Sequence, residues 1–392
     1  MAETTPGLRA GRRRSPAPWG LIGMIALVVA AERFVDRGAL DFLDVDDWAY
    51  RQTARAAAGE AGRCDVLCFG DSLMKLGVVP RAVGDRSGRR VYNLAVSGGQ
   101  APASYALLRR AIGAGARPAA VVVDFAPMLL RVGPRHNLSR WASLLGPAEA
   151  AELAWSARDA DLFATVALGR VLPSFRSRVG VRTNLMGALA GRDASHRWGN
   201  SVFFRNWRAN DGAQLAPASP AMRDLDGAKV DAFRAAFYPQ WVCDPANEEA
   251  IGKFLALAAG QGVRVYWVLT PIWPALNDRL ARDGQGAAHE AFARSWQSRF
   301  PDHLTVVDGR GVVSDPAGFY DMNHLSIAGA YAFSLALGDV LRHTLPGAAG
   351  GPDSSPSRWV ALPACRLRPV PEGVEDLRRS LVAVQPKDPL RR

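Results

Sequence analysis

Short apolar runs alternating with helical stretches set the rhythm of this 392-residue chain, and that rhythm leaves few folds open. A run at 64–69 is followed by another at 90–95, a helical stretch at 102–114 and a third run at 119–125. Farther on, a helical stretch at 247–261 leads into a run at 263–270. A last run at 303–308 precedes a helical stretch at 327–341. Runs this short and this apolar read as strands covered on both faces, which is the condition of a parallel sheet between two helix layers. The expected fold is therefore α/β, a three-layer α/β/α sandwich with a mostly parallel sheet, spanning residues 36–346. Residues 130–245 break the rhythm and read as an insertion or lid. They hold a helical stretch at 147–170 and irregular Arg-, Asn- and Trp-bearing pieces such as 198–207. Their aromatics either stack on sugar rings or form the core of a small subdomain. After residue 346 the composition turns to Pro, Gly and Ser, so 347–392 is expected to be a loosely ordered basic tail.

The first apolar run ends in Gly70-Asp71-Ser72-Leu73. Glycine permits a tight exit from the strand, which lifts Ser72 out at the C-terminal end, where open α/β sheets bind ligands. A serine nucleophile needs a base, and the base needs an orienting group. Near the far end of the chain stands Phe319-Tyr320-Asp321-Met322-Asn323-His324-Leu325-Ser326, just before the last helical stretch. A carboxylate three residues from an imidazole in a loop reaches it and fixes its tautomer. Ser72, His324 and Asp321 are thus the candidate catalytic residues. Asp124 closes the third run and reads as a buried partner of a neighbouring turn or as a pocket residue. Trp273, in Thr270-Pro271-Ile272-Trp273-Pro274, ends its strand on the same edge and is a candidate pocket wall beside Asp71 and Asp124.

With a serine turn near its start and an Asp-x-x-His pair near its end, the chain resembles the SGNH, or GDSL, hydrolase superfamily over about residues 62–345. The resemblance implies a flavodoxin-like hydrolase fold in which Ser72 attacks an acyl carbonyl, His324 is the general base and Asp321 orients it. It also implies an oxyanion hole from the N–H of Ser72 and of Gly98 or Gly99, in Tyr92-Asn93-Leu94-Ala95-Val96-Ser97-Gly98-Gly99-Gln100. No metal or organic cofactor is called for. One part of the pattern is missing: where the family's third block carries an oxyanion-donating Asn, this chain reads Ala120-Val121-Val122-Val123-Asp124-Phe125-Ala126-Pro127. Membrane-anchored members acting on envelope polymers also depart there. The resemblance thus implies an esterase acting on an acylated envelope carbohydrate or other small ester. An O-acyltransferase served by a membrane partner is the second reading, and a non-catalytic glycan-binding protein the third.

The ends of the chain point to a membrane. Arg12-Arg13-Arg14 precedes the uncharged stretch 15–31, closed by Glu32. Seventeen such residues stand at the lower limit for a membrane span, and basic residues in front of them predict a cytoplasmic start and an exported remainder. Residues 1–35 are therefore expected to be a single-pass transmembrane anchor, with the same plan serving a cleaved signal peptide. The formal charge of +11 does not indicate nucleic acid. Arg9, Arg12, Arg13 and Arg14 against Glu3 place +3 in residues 1–31. Seven Arg and Lys387 against four acids place +4 in 358–392, which leaves +4 for everything between. No run of basic residues interleaved with aromatics occurs there. The four cysteines lack metal-site spacing; Cys64 and Cys68 read as core, and Cys243 with Cys365 is a possible exported pair. His136, His196, His289, His303 and His343 are scattered and read as surface or capping residues.

Overall fold

The computed structural model describes residues 19–345 and 359–385. The expected cytoplasmic segment with Arg12-Arg13-Arg14 lies outside them, as do parts of the tail. Six strands form one sheet: β1 Val66–Phe69, β2 Val91–Asn93, β3 Ala120–Val123, β4 Arg264–Leu269, β5 Leu304–Asp308 and β6 Trp359–Ala361. Their order is β2-β1-β3-β4-β5-β6, and every neighbouring pair is parallel. The first five strands fall on the apolar runs of the sequence, and β6 comes from the expected tail.

Strand side chains alternate between two apolar cores, as a period of two dictates. Leu67 and Phe69, Val121 and Val123, and Val265, Trp267 and Leu269 pack on one face, against helices Val45–Gly59, Ala101–Gly113, Pro245–Gly260 and Gln285–Arg299. Val66 and Cys68, Ala120 and Val122, and Tyr266 and Val268 pack on the other, against helices Ser72–Gly77, Pro80–Ser87 and Ile327–Thr344. The result is three layers, helix on sheet on helix. The order reverses between β1 and β3, which opens a crevice beyond their C-terminal ends.

Four sequence expectations change. The stretch 198–207 is not irregular but lies within the helix Arg197–Ala209. The expected helix 147–170 is two helices, Pro147–Ser156 and Ala160–Val171, parted where Arg158 takes φ +52° and Asp159 caps the second. The tail is folded over 359–385: β6 extends the sheet along β5, and the helix Leu377–Val384 packs on Arg197–Ala209. All four cysteines are free. Cys243 packs with one core and Cys365 with the other, so the sheet stands between them.

The expected membrane span begins outside the described residues. Its described part opens the helix Trp19–Arg37, in which residues 19–31 are uncharged and exposed all round. Among the described residues no helix is long and apolar enough to cross a membrane. At 1.5 Å per residue that uncharged run rises about 20 Å, against about 30 Å of hydrocarbon.

Candidate active site

The turn after β1 is built around a close approach that only glycine allows. Gly70 has φ +132°, and a Cβ there would lie 1.6 Å from Asp124 Oδ1 at the end of β3. Asp71 follows as N-cap of the helix Ser72–Gly77, its Oδ1 accepting the Leu73 N–H at 2.7 Å. This cap sets Ser72 as the first residue of the helix, half-buried at the sheet's C-terminal edge.

The base arrives from a loop that is folded on itself before it meets the serine. Phe319 and Leu325 form an antiparallel bridge, and the Tyr320 N–H donates to the His324 carbonyl at 2.9 Å. Asp321 accepts the N–H of Asn323 at 2.8 Å and of His324 at 2.9 Å. Ser326 then caps the last helix, Ile327–Thr344. In this loop His324 Nδ1 sits 2.9 and 2.8 Å from the two Asp321 oxygens, and Nε2 sits 2.8 Å from Ser72 Oγ. With Nδ1 donating to the carboxylate, Nε2 is the acceptor for the serine hydroxyl. The three candidate catalytic residues form one hydrogen-bonded chain.

Burial works against an imidazolium at His324, but the Asp321 hydrogen bond and charge, with the Asp71 charge behind, outweigh it and hold its pKa above the ordinary histidine value. Burial raises the Asp321 carboxyl, yet the His324 hydrogen bond and charge, with the two backbone donors, hold it below the usual carboxylate range. The pair is arranged for a proton to arrive at Nε2.

Beneath Ser72 lies a second acid pair. Asp71 is 1% and Asp124 3% exposed, and the Asp71 N–H donates to Asp124 Oδ1 at 3.0 Å. Burial and then the Asp71 charge push the Asp124 carboxyl well above the carboxylate range; burial raises Asp71 too. One proton shared between them is the arrangement that two close carboxyls out of water enforce. Asp124 also lines a cavity of about 60 Å³ with Leu73, Phe125, Ala126, Leu269 and Ile272, while Asp71 and Trp273 are not in its lining. Trp273 instead braces the histidine loop, its ring edge-on to Phe319 at 5.3 Å and its backbone N–H donating to the Met322 carbonyl at 2.8 Å. His289 is in the cavity wall, not on the surface: its Nε2 is 3.2 Å from the Phe125 carbonyl, and burial pushes its pKa down to about 4.

The two glycines after β2 divide. Residues 96–99 form a tight turn in which the Gly99 N–H donates to the Val96 carbonyl at 2.9 Å and Gly98 has φ +67°. Gly99 packs so closely on β1 that a Cβ would lie 2.4 Å from the Gly70 carbonyl. No acceptor among the described residues takes the N–H of Gly98 or of Ser72. Two side chains absent from the sequence reading fix that turn. Arg140 Nη1 donates to the Ser97 carbonyl at 3.2 Å, and Asn137 Nδ2 to the Gly98 carbonyl at 2.7 Å. Because C=O and N–H oppose each other across a trans peptide, pinning the Ser97 carbonyl turns the Gly98 N–H away from Arg140. Arg140 is itself held by Asp46 at 3.0 Å.

Lys75 was also passed over. It is 1% exposed, its ammonium makes no hydrogen bond or ion pair among the described residues, and burial pushes its pKa down to about 8. Its Ser72-x-x-Lys75 spacing on one helix was the available signal. No cluster of three or more His, Cys, Asp or Glu able to hold a metal occurs among the described residues. Set against known proteins, no family model and no curated protein matches this chain.

Proposed function

We propose that this chain is a serine hydrolase of the SGNH type, held at a membrane by its N-terminal helix and removing a short acyl group from a carbohydrate or other ester outside the cytoplasm. One observation carries the reading: the unbroken relay from Ser72 Oγ through His324 to Asp321, each link at 2.8–2.9 Å. Position at the switch in strand order, where such sheets bind ligands, adds support.

In this reading Ser72 Oγ attacks the ester carbonyl as its proton passes to His324 Nε2, while Asp321 holds Nδ1–H and steadies the imidazolium. The oxygen that becomes negative takes the N–H groups of Ser72 and Gly98, with Gly99 discounted because its N–H is committed to Val96. The carbon–oxygen bond to the alcohol breaks, and the alcohol leaves with the proton from His324. The acyl-Ser72 ester is then opened by water, whose proton His324 accepts and returns to Ser72. A sugar hydroxyl in place of water gives acyl transfer by the same steps. The small apolar cavity beside Leu73 favours a short acyl group. Two backbone donors without the family's Asn leave the hole short of one donor, worth about 3 kcal/mol of barrier, so slow turnover is expected.

Labelling the full chain with a fluorophosphonate probe, beside Ser72→Ala and His324→Ala, tests this. The expected result is labelling of the wild type, none of Ser72→Ala and little of His324→Ala. A folded wild type that stays unlabelled overturns the enzyme reading and leaves glycan binding on the same fold.

A further inference from the structure

The helix Arg178–Leu189 carries its bulk on the wrong side for a helix facing water. Gly180 and Gly187, seven apart and so on one face, are buried. A Cβ on Gly180 would lie 1.9 Å from the Phe42 carbonyl oxygen, and Asn184 Nδ2 donates to the Asp41 carbonyl at 3.1 Å from the same side. The outward face holds Val179, Leu185, Met186 and Leu189, from 58% exposed at Met186 to 75% at Leu189. Arg178 and Arg182 lie on that outward side and are also exposed. A surface helix of a soluble domain buries its large apolar side chains. Exposed apolar side chains among arginines whose long stems reach outward suit a helix lying at a bilayer surface, the stems along the apolar face and the guanidinium groups in the headgroups.

Its neighbourhood indicates what covers it. The N-terminal helix is apolar and exposed on every side along residues 19–31, then meets the domain at Glu32. There Glu32 accepts the Ser174 N–H at 2.8 Å and the Ser174 hydroxyl. Asp36 pairs with Arg176 at 3.3 Å and with Arg51 at 2.9 Å. These bonds fasten the turn Pro173–Arg176 to the point where the apolar helix leaves the domain, and Arg178–Leu189 begins two residues later. The two exposed apolar surfaces are continuous with one charged junction.

We propose that Arg178–Leu189 lies in the headgroup zone of an anionic lipid bilayer, its four apolar side chains toward the acyl chains and Arg178 and Arg182 on the phosphates. This rests on the membrane reading of the N-terminal helix and adds an orientation to it. One helix lets the domain swivel above the membrane; a second, lying flat, fixes which side faces the lipid.

The test uses the full chain with Cys64, Cys243 and Cys365 changed to Ser, in phosphatidylcholine/phosphatidylglycerol vesicles with or without brominated acyl chains. An environment-sensitive fluorophore is attached at Leu189→Cys or at Val29→Cys. Emission from both is expected to fall by about half or more in the brominated vesicles, since an interfacial helix sits ~5–10 Å into the headgroup boundary. Quenching at 29 without quenching at 189 overturns the proposal and leaves the anchor reading standing. Quenching at neither overturns both. A concentration-dependent shift of the 189 label without vesicles assigns the face to a second copy of this chain and also overturns it. Met186→Cys repeats the measurement if the change at 189 disturbs folding.

Discussion

Asp124 holds the turn after β1 in place by accepting the Asp71 N–H at 3.0 Å. Burial and the Asp71 charge push the Asp124 carboxyl well above the carboxylate range, so an amide is expected to reproduce its contacts: Asn accepts the Asp71 N–H and donates to the Asp71 carboxyl. Asp124→Asn is expected to keep the urea midpoint and the fluorophosphonate labelling of the wild type. Asp124→Ala leaves the buried Asp71 N–H unpaired and is expected to cost about 1–3 kcal/mol in the same unfolding measurement. His324 gives a second residue-scale expectation. Only the neutral imidazole accepts the serine proton, so kcat/KM on an ester should rise with pH through the His324 pKa. Asp321 raises that pKa, which places the acid limb above about 6.5. Asp321→Asn should shift the limb downward and lower the plateau; a pH-rate profile unmoved by it removes Asp321 from the relay. Ser72, Asp321 and His324 were legible because glycine-serine turn chemistry and a three-residue Asp–His spacing are local. The support was not. Asp124 is 53 residues from Asp71, Asn137 39 from Gly98, and Arg140 43 from Ser97, so only folding reveals that they meet.

Elements were legible where they are apolar and local, and misread where tertiary hydrogen bonds overrule propensity. The strands β1 to β5 follow their apolar runs closely. The helix Arg197–Ala209 carries Gly199, Asn200 and Asn206, all poor helix formers. Its asparagines are spent on other segments. Asn200 Nδ2 donates to the carbonyls of Leu40 and Leu43, both at 2.9 Å. Asn206 accepts the Leu215 N–H at 2.8 Å and donates to the Glu375 carbonyl at 2.9 Å. Asn206 is fully buried, so Asn206→Ala strands the Leu215 N–H, while the Glu375 carbonyl keeps the Asn210 amide at 2.8 Å. It is expected to lower stability by about 1–3 kcal/mol in urea, taking one unmet buried group at the usual penalty. A loss below 1 kcal/mol would show the helix to be held by packing alone. Two aromatics of this segment are half-buried against apolar cores: Phe204 stacks on Trp207 at 5.7 Å and meets Trp48 edge-on at 4.9 Å, while Trp198 stays exposed.

At the scale of the whole molecule, the sheet brings the turns after β1, β2 and β3 to one edge, and the cavity opens between the ends of β3 and β4. If the proposed acyl group enters this cavity, its size admits only a short chain. Activity on nitrophenyl esters is expected to fall about tenfold or more in kcat/KM from acetyl to octanoyl, a few methylenes at 1–3 kcal/mol each being ample to produce it. An equal rate across the series would place the acyl group outside the cavity. The sheet has a further consequence through β6, its last strand in the chain, which pairs with β5 on the outer edge. During synthesis β5 emerges before β6. Through that interval β5 carries an open row of backbone donors and acceptors, the kind of edge that recruits foreign strands. Until β6 arrives that edge stays bare, so the strand that completes the sheet also shields the chain from foreign pairing.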